Sequence, residues 1–182
     1  MRDTLTTFVI ASFAYIISYS LTSGFVYPIQ TTLLPDVSEK TGLLFLPHGV
    51  RIIAVYYLGW RAILFLLPAS YLMWFLAVYG GDIDLSIYAA IISLIACWIG
   101  VTLTKAIFEE KSDMLDISAW KFLIVAGAAG SLLNGVGLSL LHHDSQVGLS
   151  VLGYVIGDVA GLFASLLILM YVFKFLRHYR DI

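Results

Sequence analysis

"LLFLPHGVRIIAVYYLGWR" (Leu43–Arg61) has the length of a membrane span, yet a proline, a histidine, a glycine and an arginine interrupt its first half. If this stretch crosses a bilayer, the apolar runs around it form one alternating bundle, and Arg51 lies inside that bundle. An unpaired arginine at the centre of a span costs roughly 2.5 to 3.5 kcal/mol on insertion scales. Something has to hold Arg51.

The rest of the chain supports the membrane reading. Of 182 residues, 60% are hydrophobic and 12% charged, against roughly 25% charged in ordinary soluble domains, and the mean hydropathy is +0.95. Apolar runs long enough to cross a bilayer recur along nearly the whole length, which favours helical spans over the weak alternation of a β-barrel. The first run, "TLTTFVIASFAYIISYSLTSGFVYP", is too long for a signal-peptide core and lacks a small-residue cleavage site, so it is read as a mature span. The single cysteine, Cys97, sits in an apolar run, leaving no disulfide framework and no paired-cysteine metal motif. A net charge of -2 points to no nucleic-acid partner.

Six segments each match a hydrocarbon core of roughly 30 Å: about Leu5–Tyr27, Leu43–Trp60, Ala62–Tyr79, Leu85–Ile107, Ile117–Leu141 and Leu149–Phe173. The expectation is an all-α membrane protein, a six-transmembrane-helix bundle that forms a single integral membrane domain over residues 1–182. Only "PIQTTLLPDVSEKTG" is longer than a turn, and its prolines and mixed charges read as a surface loop. Arg2, Arg61, Lys105, Lys111, Lys121, Lys174, Arg177 and Arg180 all fall on one side of such a bundle. The opposite loops hold only Lys40, and "GGDID" and "HHDSQ" hold no lysine or arginine. The positive-inside rule then puts both termini in the cytoplasm. The basic tail "KFLRHYRDI" reads as anchoring to anionic membrane lipid, and a kinase or cyclase activity in this chain is not expected.

That orientation puts the polar residues together. His48 and Arg51 lie near the outer end of the second span, Asn134 in the outer half of the fifth, and Asp158 roughly 14 Å below the outer surface in the sixth, at the usual helical rise. Arg51 and Asp158 are the deep charges of opposite sign, so an ion pair between them is expected, serving as a structural lock, a ligand site, or both. Pro47 suits the first turn of a helix. A second span that is helical only from about Pro47 has a sunken N-terminus, read either as a kink filled by neighbours or, with His48 and Arg51, as an anion-friendly recess.

Small residues suggest which helices touch. Gly153, Gly157, Gly161 and Ser165 recur every fourth residue in the last span, and Ala126, Gly130 and Asn134 do so in the fifth, so these two stripes are expected to pack together. The adjacent His142, His143 and Asp144 cannot converge on a metal without the chain folding back, and no metal or cofactor is expected. No nucleophile has a recognisable base beside it and there is no phosphate loop, so the chain is not read as an enzyme.

Two blocks, "LFLPHGVRIIAVYYLGWRAILFLLPASYL" and "GYVIGDVAGLFASLLILM", resemble the MASE1 integral membrane sensory domain, with Pro47 and Gly49 matching its early proline and glycine, and Gly157, Asp158 and Gly161 its terminal motif. The chain departs from that family in having fewer spans and in Arg51, where a small or apolar residue is usual. The resemblance implies a sensory input module of a bacterial inner membrane that recognises a small ligand from the extracytoplasmic side and acts through a separate membrane protein or complex. Span count and polarity alone also fit the substrate-capture subunit of an energy-coupling-factor-like transporter, or a non-catalytic accessory subunit of a larger membrane complex.

Overall fold

In this computed structural model the described residues are 2–34, 42–80, 86–109, 119–141 and 147–180. All their regular structure is helical: α1 (Arg2–Leu21), a π-helical turn (Thr22–Val26), α2 (Tyr27–Leu33), α3 (Leu46–Leu58), α4 (Arg61–Gly80), α5 (Ala89–Glu109), α6 (Ala119–Leu141) and α7 (Val147–Arg180). Five helices among them are long and apolar enough to cross a membrane. Their outward faces carry Phe13, Ile17, Leu64, Leu132 and Phe163, each at least half exposed, while His48, Asn134 and Asp158 are buried. Polar inside and apolar outside is the arrangement a lipid solvent selects. The chain is a multi-pass α-helical membrane protein.

The first span differs from its sequence reading. Pro28 was expected to end it and open a surface loop, yet helix continues to Leu33, giving an apolar run of 31 residues over Asp3–Leu33. Proline inside a helix loses one hydrogen bond and crowds the carbonyl four residues back. The π turn just before it resolves both problems, since the Tyr27 N–H bonds to the Thr22 carbonyl five residues back and Pro28 falls in the first turn of α2. The rest of "GGDID" after its first residue, Gly80, "HHDSQ" with His142, His143 and Asp144, and Lys40 and Lys111 lie outside the described residues.

The second span is the larger departure. It is not one helix of span length: α3 has 13 residues, begins at Leu46 with Pro47 in its first turn, and ends at Gly59, whose φ of 60° suits glycine and reverses the chain into α4. Ahead of it, Gly42–Phe45 is non-helical. At about 1.5 Å per helical residue α3 covers roughly 20 Å, and the lead-in, bent at Leu43, passes from Gly157 to Gly161 of α7, one helical turn or about 6 Å.

Short as it is, α3 is the centre of the bundle, touching α1, α4, α5, α6 and α7. Its inward residues Ile52 and Val55 join Ala62, Cys97, Leu123, Ala126 and Leu162 in one apolar cluster, and a second forms from Tyr15, Leu66, Ala69, Met73 and Leu94 between α1, α4 and α5. Near the other end of α3, Lys105 of α5 donates to the Tyr56 carbonyl at 3.4 Å, a cation beside the negative helix terminus. Phe122 of α6 lies against Tyr56 there, its ring tilted by 50° with centroids 5.4 Å apart.

The glycine stripes part company. Gly130 of α6 faces α5, where an added Cβ would come within 3.2 Å of Cys97 Cα, and a Cβ on Gly100 would lie 2.5 Å from the Gly130 nitrogen. Gly157 and Gly161 of α7 face the lead-in to α3: a Cβ on the first would strike the Gly42 carbonyl oxygen, and on the second the Phe45 carbonyl. Gly153 is partly buried on the same helix. Contact between α6 and α7 runs instead through Gly135, which lies against Val151 Cα, and through Ser131 and Asn134. The two helices do pack, and Asn134 does meet the helix of Asp158 as expected; what is corrected is the glycine-to-glycine pairing, because Gly130 faces α5 and the edge of Gly157 and Gly161 is taken by the backbone of the lead-in.

Candidate functional site: a buried polar cluster around His48 and Asp158

Non-helical backbone within a membrane has to satisfy its polar groups inside the protein. The lead-in does so on both flanks. Leu43 N–H donates to Gln30 Oε1 of α2 at 2.8 Å, Phe45 N–H to the Gly157 carbonyl of α7 at 2.9 Å, and Leu46 N–H to Thr22 Oγ1 in the π turn at 3.3 Å. Ser165 of α7 donates to the Leu46 carbonyl at 3.2 Å. These bonds also close the recess that the sequence suggested for an anion. Leu46 N–H is taken by Thr22, Pro47 has none, and His48 N–H bonds to the Phe45 carbonyl at 3.2 Å.

In the first turn of α3 the side chains of four helices converge. His48, fully buried, places Nδ1 3.3 Å from Asp158 Oδ2 of α7 and Nε2 3.1 Å from the Gly127 carbonyl of α6. Ser131 Oγ donates to Asp158 Oδ2 at 2.7 Å and Asn134 Nδ2 at 3.3 Å. Asn134 in turn accepts from Ser93 Oγ of α5 at 2.8 Å, which fixes the direction of its amide. Cys97 Sγ approaches His48 Nδ1 at 3.8 Å. The cluster ties α3, α5, α6 and α7 together, and every member is at least 95% buried.

Arg51 does not join Asp158. The ion pair expected from the sequence is replaced by His48–Asp158, the ion pair found among the described residues. Arg51 Nη2 donates to the Tyr15 hydroxyl at 2.6 Å, and its guanidinium lies 5.3 Å from the centroid of the Tyr15 ring and 5.6 Å from that of Phe45. An aromatic box and one neutral acceptor thus hold the cation, and Arg51 Nε has no hydrogen-bond partner. Removing the hydroxyl with Tyr15→Phe is expected to lower stability by about 1.5 to 3 kcal/mol, the range for a hydrogen bond to a charged group, read as a lower unfolding midpoint in lipid micelles.

Three contributors escaped the sequence reading: Tyr15, Ser93 and Ser131. Their spacing held the signal. Ser131 is three residues before Asn134 on the same face of α6, Ser93 and Cys97 are four apart on α5, and Tyr15 and Ser18 of α1 form one buried stripe with Thr22 of the π turn. Chemically the cluster can hold a proton, since it places an imidazole against a carboxylate among buried hydrogen-bonding groups. No family model matches the chain, and no curated protein or solved structure matches it, so its function is read from this geometry.

Proposed function

We propose that the chain is a sensory unit of a bacterial inner membrane, crossing it six times with both termini in the cytoplasm. It recognises a small ligand from the extracytoplasmic side and passes the consequence to a separate protein through α7. The observation that supports this is the continuity of α7. One unbroken helix carries Asp158 in the cluster and runs on to Arg180, and its residues 171–179 are exposed. A change in the clasp between α3 and α7 tilts a rod whose far end is free to report it. The lead-in and α3 together make the sixth crossing, and Arg61, Lys105, Lys121 and Lys174 then share the cytoplasmic side.

In this orientation a groove of about 630 Å³ opens on the extracytoplasmic half between α1, α2 and α4, lined by Tyr19, Ser20, Tyr27, Thr31, Met73 and Ala77. Tyr19 also stacks edge-on against Phe45 of the lead-in with centroids 6.5 Å apart, so a ligand seated there bears on the clasp. The test is a thermal-shift screen of metabolites on the protein in nanodiscs, where a true ligand at a hundredfold excess over Kd contributes about 2.7 kcal/mol. The expected hit loses its effect in Ala77→Trp, which fills the groove, while the unliganded midpoint changes little.

A second reading has its own support. The cluster is closed and self-satisfied, which also suits a non-catalytic accessory subunit of a larger complex. A screen without hits, together with purification only in a stoichiometric assembly, favours that reading.

A further inference from the structure

His48 is held at both ring nitrogens, and its hydrogens can be counted. Nε2 faces the Gly127 carbonyl oxygen, which only accepts, so Nε2 carries a hydrogen. A neutral imidazole then has only a lone pair at Nδ1. Across 3.3 Å lies Asp158 Oδ2, and an ionised carboxylate is likewise acceptor-only. Two acceptors that close, in a site shut off from water, repel each other. A single added proton turns the contact into a hydrogen bond, as imidazolium with carboxylate or as imidazole with carboxylic acid. The two forms belong to one coupled pair.

We infer that His48 and Asp158 form an intramembrane proton-binding site whose occupancy decides the partner of Asp158. With the proton in place, Asp158 bonds to His48, and Arg51 turns to Tyr15, as in this structure. When the proton leaves to water, Asp158 faces a lone pair on one side and has another donor within the same helix surface. Arg51 follows His48 by three residues on α3 and so lies on the same face, and its buried Nε is without a partner. The carboxylate then exchanges His48 for Arg51.

The surroundings limit what else can titrate. Facing the pair are Arg51 from α3 and the Cys97 thiol from α5, with Tyr15 and Tyr19 of α1 beyond Arg51 and Tyr27 of α2 within electrostatic reach of Asp158. From α6 come only the uncharged Ser131, Asn134 and the Gly127 carbonyl. Among the described residues no charged or titratable side chain of α4 bonds to the pair. Ser131 serves either protonation form, because it also lies 3.2 Å from the Tyr154 carbonyl and can donate there when Asp158 is itself a donor. This inference concerns the cluster alone and stands apart from the ligand-sensing proposal, whose failure in a ligand screen leaves it untouched.

The test uses the full chain in lipid bilayers with His142, His143 and His178 replaced by glutamine, so that His48 is the remaining histidine. Nitrogen-15 solid-state NMR reads both ring nitrogens, and infrared difference spectra read a protonated carboxyl, assigned to Asp158 by its loss in Asp158→Asn. Near neutral pH the expected count is one proton: both nitrogens protonated, or Nε2 protonated with a carboxylic acid present. At alkaline pH that one proton is lost, Nε2 stays protonated, and coupling between Arg51→Gln and Asp158→Asn appears that is absent at neutral pH. An unprotonated Nδ1 beside an ionised Asp158 at neutral pH, with the Cys97 thiol as the only donor to Nδ1, overturns the proton site. A proton retained until the protein unfolds, or an Arg51–Asp158 coupling independent of pH, overturns the partner exchange. Should the histidine-reduced protein fail to fold, the wild type with and without His48→Gln supplies the same count by difference.

Discussion

Gly161→Ala is expected to destabilise the protein by about 2 to 4 kcal/mol, a large effect for one methyl group. The added Cβ would fall on the Phe45 carbonyl group and within 2.8 Å of the Leu46 nitrogen. These are backbone atoms at the start of α3, and no rotamer change moves them. The lead-in has to shift away from α7, which strains or breaks the bond from Phe45 N–H to the Gly157 carbonyl and leaves two buried polar groups short of partners, at about 1 to 3 kcal/mol for each group left unsatisfied. Gly24→Ala is the contrasting control, since a Cβ there meets nothing within 4 Å and is expected to be near neutral or to stabilise by about 0.4 to 1 kcal/mol through the unfolded chain. Unfolding in mixed micelles compares the two. Equal effects of both substitutions contradict the close approach of α7 to the lead-in.

Asp158→Ala is expected to cost about 3 to 5 kcal/mol, the range for removing one member of a buried charged pair. Oδ2 is the common acceptor for Ser131, Asn134 and His48, so its loss strands donors on two other helices at once. Asp158→Asn is expected to cost far less. Its amide oxygen can still accept from Ser131, and its NH2 can donate to His48 Nδ1 without any added proton. A double-mutant cycle separates the possible partners: Asp158 with His48 is expected to show a coupling of about 1 to 3 kcal/mol, and Asp158 with Arg51 less than about 0.5 kcal/mol at neutral pH. The reverse order contradicts the arrangement described.

Hydropathy exposes the long helices of such a chain because the bilayer asks one simple thing of each span, a sufficient apolar length. The start of α3 is legible for a different reason, since Pro47 leaves few other ways to begin a helix there. Distances between spans are a harder matter. Charge complementarity pointed Arg51 to Asp158, and depth alone allowed it, but His48 lies one turn nearer the lead-in and meets the carboxylate first. Arg51 found Tyr15, whose hydroxyl sits in an apolar run and has the look of an ordinary lipid-facing aromatic until its 1% exposure is known. The glycines of α7 announced a close approach without naming the visitor. A non-helical lead-in has no hydropathy period of its own, so nothing in the linear pattern marked it as the element that would occupy that edge.

Four residues of non-helical backbone lie inside the bundle, stitched to α2, α7 and the π turn. Hydrogen exchange of the backbone amides in nanodiscs tests this most directly, read at Leu43, Phe45 and Leu46, whose N–H groups bond to Gln30, Gly157 and Thr22. Protection of Phe45 comparable to that of the α7 amides around Gly157 is the expected result, with loss of that protection in Gly161→Ala. Exchange of Phe45 and Leu46 as fast as that of an unbonded amide would show that the lead-in is a surface loop, and would remove the clasp between α3 and α7.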